Sequence, residues 1–296
     1  MKHSKSILCS LGLLLVCVCL ATAADAPTLT FKFKAVKIPG STVVEPGGIN
    51  NAGVSVGFYT DTAGADHGYI LDGKKLTTLD DPNAAAGTTE GSNLNPDGAI
   101  SVVGFYTSSK TGAAVGFVYK AGKYKDIVGP KGAVNVYGAA INDTGAVVGY
   151  YSDSAGVYHG YLLKSGKYTT LNVPGAADTF ATGINTGGSI SFYWVSSSSG
   201  VYESSVLTGK TYKTVNVPGA SDSFALDLDK AGDVTYEWED SNGAIHGALL
   251  HAAKYYKFNY PKAADTYGGG INDKSEIVGG YEATSGGAWQ AFQASY

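Results

Sequence analysis

Along most of the chain, hydrophobic and polar positions alternate in runs of five to seven residues, each closed by Gly, Asn or Asp. The stretch 138–173 shows the pattern. Gly138–Ile141 is short and apolar, Asn142-Asp143-Thr144-Gly145 is a turn, and Ala146–Ser152 is β-branched and aromatic. A second turn surrounds Gly156, His159–Leu163 reads as a strand, Lys164-Ser165-Gly166 turns again, and Lys167–Val173 completes the set. Alternation of period two bounded by turn residues predicts strands, and Asn and Gly supply the left-handed backbone that hairpins need. Beyond the N-terminal leader, no eleven-residue window carries a helical period.

The same pattern recurs. Its Asn-type anchors are Asn50, Asn95, Asn142, Asn185, Asp229 and Asn272, spaced 45, 47, 43, 44 and 43 residues apart. Four short strands in each such unit match one blade of a β-propeller. The last copy supplies three strands, ending at Ala288–Tyr296. A strand resembling the missing fourth stands at Phe31–Ile38, followed by Pro39-Gly40 as Lys167–Val173 is followed by Pro174-Gly175. Pairing the two ends would remove an open sheet edge. The chain is therefore expected to be all-β: a six-bladed β-propeller closed by the N-terminal strand joining the C-terminal blade, with residues 24–296 as one domain.

Residues 1–23 have the form of a secretory signal peptide. Lys2 and Lys5 precede the apolar run Ile7–Leu20, and Ala21-Thr22-Ala23 is a small-x-small cleavage pattern. Its removal would take Cys9, Cys17 and Cys19, leaving no thiol for a disulfide, a metal or a nucleophile. No later segment is long and apolar enough for a helical membrane span. An outer-membrane barrel would need strands of ~9–11 residues with a lipid-facing stripe, longer than these runs. The chain has no Arg, and its mature part carries nineteen Lys against twenty-five acidic residues, which excludes a nucleic-acid partner. A secreted monomer, extracellular or periplasmic, is expected.

The repeat Gly-Ile-Asn-x-x-Gly with a Val/Gly/Tyr strand and a downstream triplet resembles a bacterial extracellular repeat family with a His-Ala-Phe motif. Here the triplet reads His67-Gly68-Tyr69, Val115-Gly116-Phe117, His159-Gly160-Tyr161, Glu203-Ser204-Ser205, His246-Gly247-Ala248 and Trp289-Gln290-Ala291. The resemblance spans residues 28–296. It implies a secreted propeller-like protein and brings no catalytic residues.

Repeated residues are the candidates for chemistry. His67, His159 and His246 occupy equivalent places, but on the third strand from the axis they lie too far apart to share one Zn²⁺. Asp61, Asp153 and Asp240 precede them by six residues across the same hairpin, a spacing expected to give structural hydrogen-bonded braces. Tyr59, Tyr106, Tyr151, Trp194, Trp238 and Tyr281 form an aromatic set expected to fill the wedges between blades. Seven residues before the anchors stand Asn135, Asp178, Asp222 and Asp265, on loops expected to overhang the channel mouth. These are the candidate ligand-binding residues, and the three Asp the candidate Ca²⁺ ligands; no other cofactor is expected. The leading expectation is a non-enzymatic binding or scaffold propeller that takes a glycan or protein at its channel mouth. The alternative is a polysaccharide lyase or hydrolase using a mouth Asp as acid or base. The loops, uniformly short, favour the first.

Overall fold

Every regular element among residues 28–296, the part of the chain that the computed structural model describes, is a β-strand. The expected leader at 1–23 and its cleavage point lie outside the described residues. After β1 (Lys32–Val36) the chain runs through successive antiparallel meanders. The first comprises β2 (Ser41–Ile49), β3 (Ser55–Asp61), β4 (Asp66–Asp72) and β5 (Lys75–Leu79). The second comprises β6 (Ala84–Leu94), β7 (Ser101–Ser108), β8 (Ala114–Lys120) and β9 (Lys123–Ile127). The third comprises β10 (Asn135–Ile141), β11 (Val147–Ser152), β12 (Tyr158–Lys164) and β13 (Lys167–Leu171). The fourth comprises β14 (Ala176–Ile184), β15 (Ile190–Ser196), β16 (Tyr202–Thr208) and β17 (Thr211–Thr214). The fifth comprises β18 (Asp222–Leu228), β19 (Val234–Glu239), β20 (Ile245–His251) and β21 (Lys254–Phe258). The last has only β22 (Asp265–Ile271), β23 (Glu276–Glu282) and β24 (Gln290–Ser295).

β1 supplies the missing strand. It pairs antiparallel with β24, Lys32 opposite Ser295 and Val36 opposite Ala291. The side chains agree with the pairing: Phe33 packs edge-on against Phe292 at 5.2 Å and lies 6.1 Å from Phe258. Four sheets are thus four-stranded, in the orders β1-β24-β23-β22, β10 to β13, β14 to β17 and β18 to β21. The first two meanders merge into one eight-stranded sheet, where six separate blades were expected. The merger rests on a single parallel bridge, Asp66 to Thr88. Gly87, at φ +68°, permits it, because a Cβ there would sit 2.7 Å from that of Ala65.

The first strand of each meander touches the next, from β2 through β6, β10, β14 and β18 to β22, and β22 returns to β2. These strands surround an axis. Apolar residues of neighbouring meanders meet face to face around it: Ala140, Val148 and Leu171 pack against Ala181, Phe192 and Trp194. Such interdigitated faces are the main apolar burial that holds the ring. The arrangement is a β-propeller.

Each first strand carries a register shift about three residues before its anchor, for example between Gly138 and Ala140 and between Ala181 and Gly183. A bulge leaves one residue unpaired and re-aims it. Gly47, Ser92, Ala139, Thr182, Leu226 and Gly269 stand at these points, and all six line a cavity on the axis. The bulges therefore shape the interior of the ring.

Candidate functional site

The cavity opens at the end of the axis where the first strands begin and encloses about 560 Å³, within the usual range of ligand pockets. Its wall draws on cross-strand pairs just above the bulges, of which Glu45, Phe58, Glu90, Phe105, Tyr137, Tyr150, Tyr193, Glu237 and Tyr267 line the cavity, and Phe180, Phe224 and Gly280 do not. The pairs are Glu45 with Phe58, Glu90 with Phe105, Tyr137 with Tyr150, Phe180 with Tyr193, Phe224 with Glu237 and Tyr267 with Gly280. Each pair joins one residue from the first strand of a meander to one from the second.

Six of these rings form a continuous belt in which edge-on and stacked contacts alternate. Phe105 meets Tyr137 edge-on at 5.0 Å, and Tyr137 stacks on Tyr150 at 4.7 Å. Tyr150 meets Phe180 edge-on at 5.0 Å, Phe180 stacks on Tyr193 at 4.6 Å, and Tyr193 meets Phe224 edge-on at 5.4 Å. Both geometries are favourable for ring quadrupoles and fix ring orientation. On the other side Tyr267 and Trp289 meet edge-on at 5.1 Å.

Carboxylates interrupt the belt. Glu45, Glu90 and Glu237 occupy positions where a ring stands in the other pairs. Burial lifts all three from an ordinary 4.5 to about 7, and neighbouring negative charges add to it: Asp66 beside Glu45 and Glu90, and Glu45 beside Glu237. No hydrogen bond from the described residues offsets that burial, and among them no lysine or histidine lines the cavity. The cup thus combines aromatic faces with acidic groups that have no partner among the described residues.

The floor of the cup is closed by a bond across the axis. Asn93, on β6, donates through Nδ2 to Asp227 Oδ2 on β18 at 3.1 Å. Leu228 and Ile271 donate their N–H groups to the same carboxylate at 2.9 and 3.2 Å. Equivalent positions in other copies are Gly48, Ala140, Gly183 and Gly270, small enough to leave room. A Cβ on Gly48 would overlap the Asn93 side chain, and one on Gly183 would sit 2.7 Å from Asp227 Oδ1. Burial raises Asp227 to about 7, against the three donors that favour its ionised form. Below this bar the anchors hold one another: Asn142 Nδ2 donates to Asn185 O, Asn185 to Asp229 O, and Asn272 to Asn50 O. The last of these ties the final copy to the first.

The residues singled out from the sequence lie elsewhere. Asp178, Asp222 and Asp265 accept the N–H groups of Tyr158, Tyr202 and Ile245, at 2.8, 2.7 and 3.0 Å. Asn135 accepts that of Ala114 at 3.0 Å. Each donor belongs to the preceding meander, so the four side chains brace neighbouring meanders. None of them lines the cup. Among the described residues no three His, Cys, Asp or Glu side chains come together to hold a metal, so the expected acidic convergence of the three Asp is replaced by that of the glutamates around an open cavity.

The histidines and the aromatic set prove to be one feature. Tyr59, Tyr151 and Trp238 lie directly across from His67, His159 and His246 and pack on them at 5.2, 5.2 and 4.5 Å. His159 Nε2 meets Asp153 at 3.3 Å, His246 Nε2 meets Asp240 at 3.3 Å, and His67 Nε2 lies 3.5 Å from Asp61. The other ring nitrogen meets Asp80, Asn172 or Asn259. Burial lowers the His67 pKa, but Asp80 and Asp61 outweigh it and leave a net rise. Tyr106, Tyr151, Trp194 and Trp238 are buried, whereas Tyr59 and Tyr281 are half-buried. The wedge-filling expected of all six is met fully by four.

No family model matches the chain, and no curated protein sequence matches it. Solved structures do. A fungal lectin from Aleuria aurantia, described as a six-bladed β-propeller with a novel fucose recognition mode, aligns over 88% of this chain and 93% of its own, with 13% identity and a TM-score of 0.52. AofleA from Arthrobotrys oligospora, in a mutant form, aligns over 90% and 91%, with 14% identity and a TM-score of 0.54. TolB from Acinetobacter baumannii aligns over 81% of this chain and 63% of its own, with 14% identity and a TM-score of 0.55. At such identities the likeness bears on the fold, and all three agree with a β-propeller.

Proposed function

We propose that this chain is a secreted, non-enzymatic binding propeller of six blades, and that it takes a glycan in the cup on its axis. Counting the two meanders of the eight-stranded sheet as separate blades gives six, consistent with their single connecting bridge. The resemblance to the bacterial His-Ala-Phe repeats and the leader-like first 23 residues support secretion. One observation carries the binding site: a pocket-sized cavity walled by oriented aromatic faces and by carboxyl groups that no other described residue satisfies. Aromatic faces suit the apolar faces of pyranose rings, and carboxyl groups suit their hydroxyls. The fucose named for the Aleuria lectin makes saccharides the first class to test. On a glycan array the chain from residue 24 onward should retain a defined set of sugars, and Tyr150→Ala and Tyr193→Ala, both at residues that line the cavity, should each abolish retention. Retention unchanged by both variants would refute the cup as the site.

A polysaccharide lyase or hydrolase is the second reading. It is favoured by carboxyls held near 7, the range in which a group can both give and take a proton. Release of new reducing ends or unsaturated products from the retained glycan, lost in Glu237→Gln, would select it.

A further inference from the structure

We propose that the ligand of the axial cup carries a free, positively charged amino group on a sugar, an amine-bearing hexosamine unit rather than a neutral or acidic saccharide. The inference rests on the cup being the glycan site and adds its charge. Glu45, Glu90 and Glu237 come from three different meanders yet converge on one cavity. Their nearest charged neighbours, Asp66, Glu239, Asp265 and Glu282, are acidic as well. Glu237 is half-buried, lines the cavity and accepts no hydrogen bond from the described residues. A carboxylate partly withdrawn from water and without a partner carries a desolvation cost, and an ammonium group placed between three of them offsets it.

The rings point the same way. An ammonium attracts the negative face of an aromatic ring, most strongly where water is excluded. The belt from Phe105 to Phe224 ends at Glu90, the partner of Phe105, and at Glu237, the partner of Phe224. A cation near either end would therefore meet a ring face and a carboxylate together. A uronic or sialic acid would instead bring a further negative charge into the cup. A divalent metal is a poorer match, because the carboxylates surround a space of about 560 Å³ and do not gather into a group that could hold an ion.

Calorimetry on the chain from residue 24 onward, at low salt and pH 7.5, tests this with the β-1,4-linked glucosamine trisaccharide and its fully N-acetylated counterpart. The free amine should bind at least tenfold more tightly. A Glu45→Gln/Glu90→Gln/Glu237→Gln variant should lose that preference while keeping its fold by circular dichroism. Tight binding of the amine should also shift protons, seen as an enthalpy that depends on the ionisation heat of the buffer. Equal binding of both trisaccharides, or binding of the acetylated one alone, would overturn the amine requirement and leave the cup a glycan site. If neither binds, the amine requirement falls and the cup is judged by the glycan array and the Tyr150 and Tyr193 variants.

Discussion

The two ends of the central axis are made from the same repeated strands and are chemically opposite. Below the bulges, polar side chains answer one another: Asn93 with Asp227, and each of several anchor asparagines with the backbone of the next copy. Above the bulges, three glutamates and several rings of the belt face an open cavity, and the glutamates find no hydrogen-bond partner among the described residues. Polar groups buried for stability are normally satisfied in place. Those left unsatisfied around a cavity are the ones a ligand can satisfy. The contrast divides a structural pole from a functional pole within a single strand length.

The strongest test of the structural pole is to open the ring. Deleting residues 24–40 removes β1, its pairing with β24, and the packing of Phe31 and Phe33 against Phe258 and Phe292. The melting temperature should fall by on the order of 10 °C or more, since one buried aromatic alone contributes several kcal/mol. A truncated chain as stable as the full mature one would show that closure contributes nothing.

Next in size is Trp238→Ala. Trp238 is buried, stacks on His246 at 4.5 Å and donates Nε1–H to Gly247 O. Chemical denaturation should report a loss of ~3–5 kcal/mol, with saccharide binding at the cup unchanged. Asn93→Ala should follow at about 1–3 kcal/mol, because it leaves a buried Asp227 oxygen without its cross-axis donor. The same substitution at Ser92, one residue earlier on the cup side, should cost little.

The functional pole should respond with the opposite sign. Glu45, Glu90 and Glu237 titrate near 7 when folded and near 4.5 when unfolded, so the folded state holds their protons longer. Their stabilising effect is complete below the unfolded value and is lost as pH rises through about 7. Glu→Gln at any of them should therefore raise stability at pH 8, by about 1 kcal/mol each after allowance for solvent, and change little at pH 4.5. Asp61, Asp153 and Asp240 work the other way. Loop N–H groups and the facing histidines hold them below the ordinary carboxylate range, so their contribution is present above 3.8 and is lost as pH falls below it. Thermal scans should place the ligand-free maximum on the acid side of neutrality. A maximum at pH 8 would place the glutamates in a solvated setting.

The smallest effect concerns the braces. Replacing Asp178, Asp222 and Asp265 together with Asn keeps an oxygen for each N–H of Tyr158, Tyr202 and Ile245. Loss of charge should change stability only slightly and leave glycan affinity unaltered. A large loss of affinity would return these residues to the binding site.

Much of the architecture was legible because it repeats. The strands expected at Ala146–Ser152 and His159–Leu163 appear as Val147–Ser152 and Tyr158–Lys164, and the chain ends meet close to where their likeness placed them. The His–Asp hairpin pairs were visible for the same reason. The cup was not, because it is where the copies differ. Five residues before the anchors the sequence reads Glu45, Glu90, Tyr137, Phe180, Phe224 and Tyr267, and a search for residues shared by all copies passes over that variation. The bulges hid the rest. They decide which side chains turn toward the axis, and an extra unpaired residue leaves no mark in a hydrophobic pattern. The Asn93–Asp227 bar is likewise a coincidence of two unlike copies, compensated by three glycines and an alanine in the others.

The pairing of β1 with β24 also orders events in time. β1 is among the first segments to be synthesised, yet its partner strand lies at the other end of the chain, with Lys32 opposite Ser295. Until β24 exists, Phe31 and Phe33 have no sheet to join, and that strand waits with an open edge. Contacts between such distant parts of a chain form slowly, after the local hairpins. The seam should therefore be the last part of the ring to form, and the stage at which an unfinished molecule is most exposed to pairing with another copy of itself.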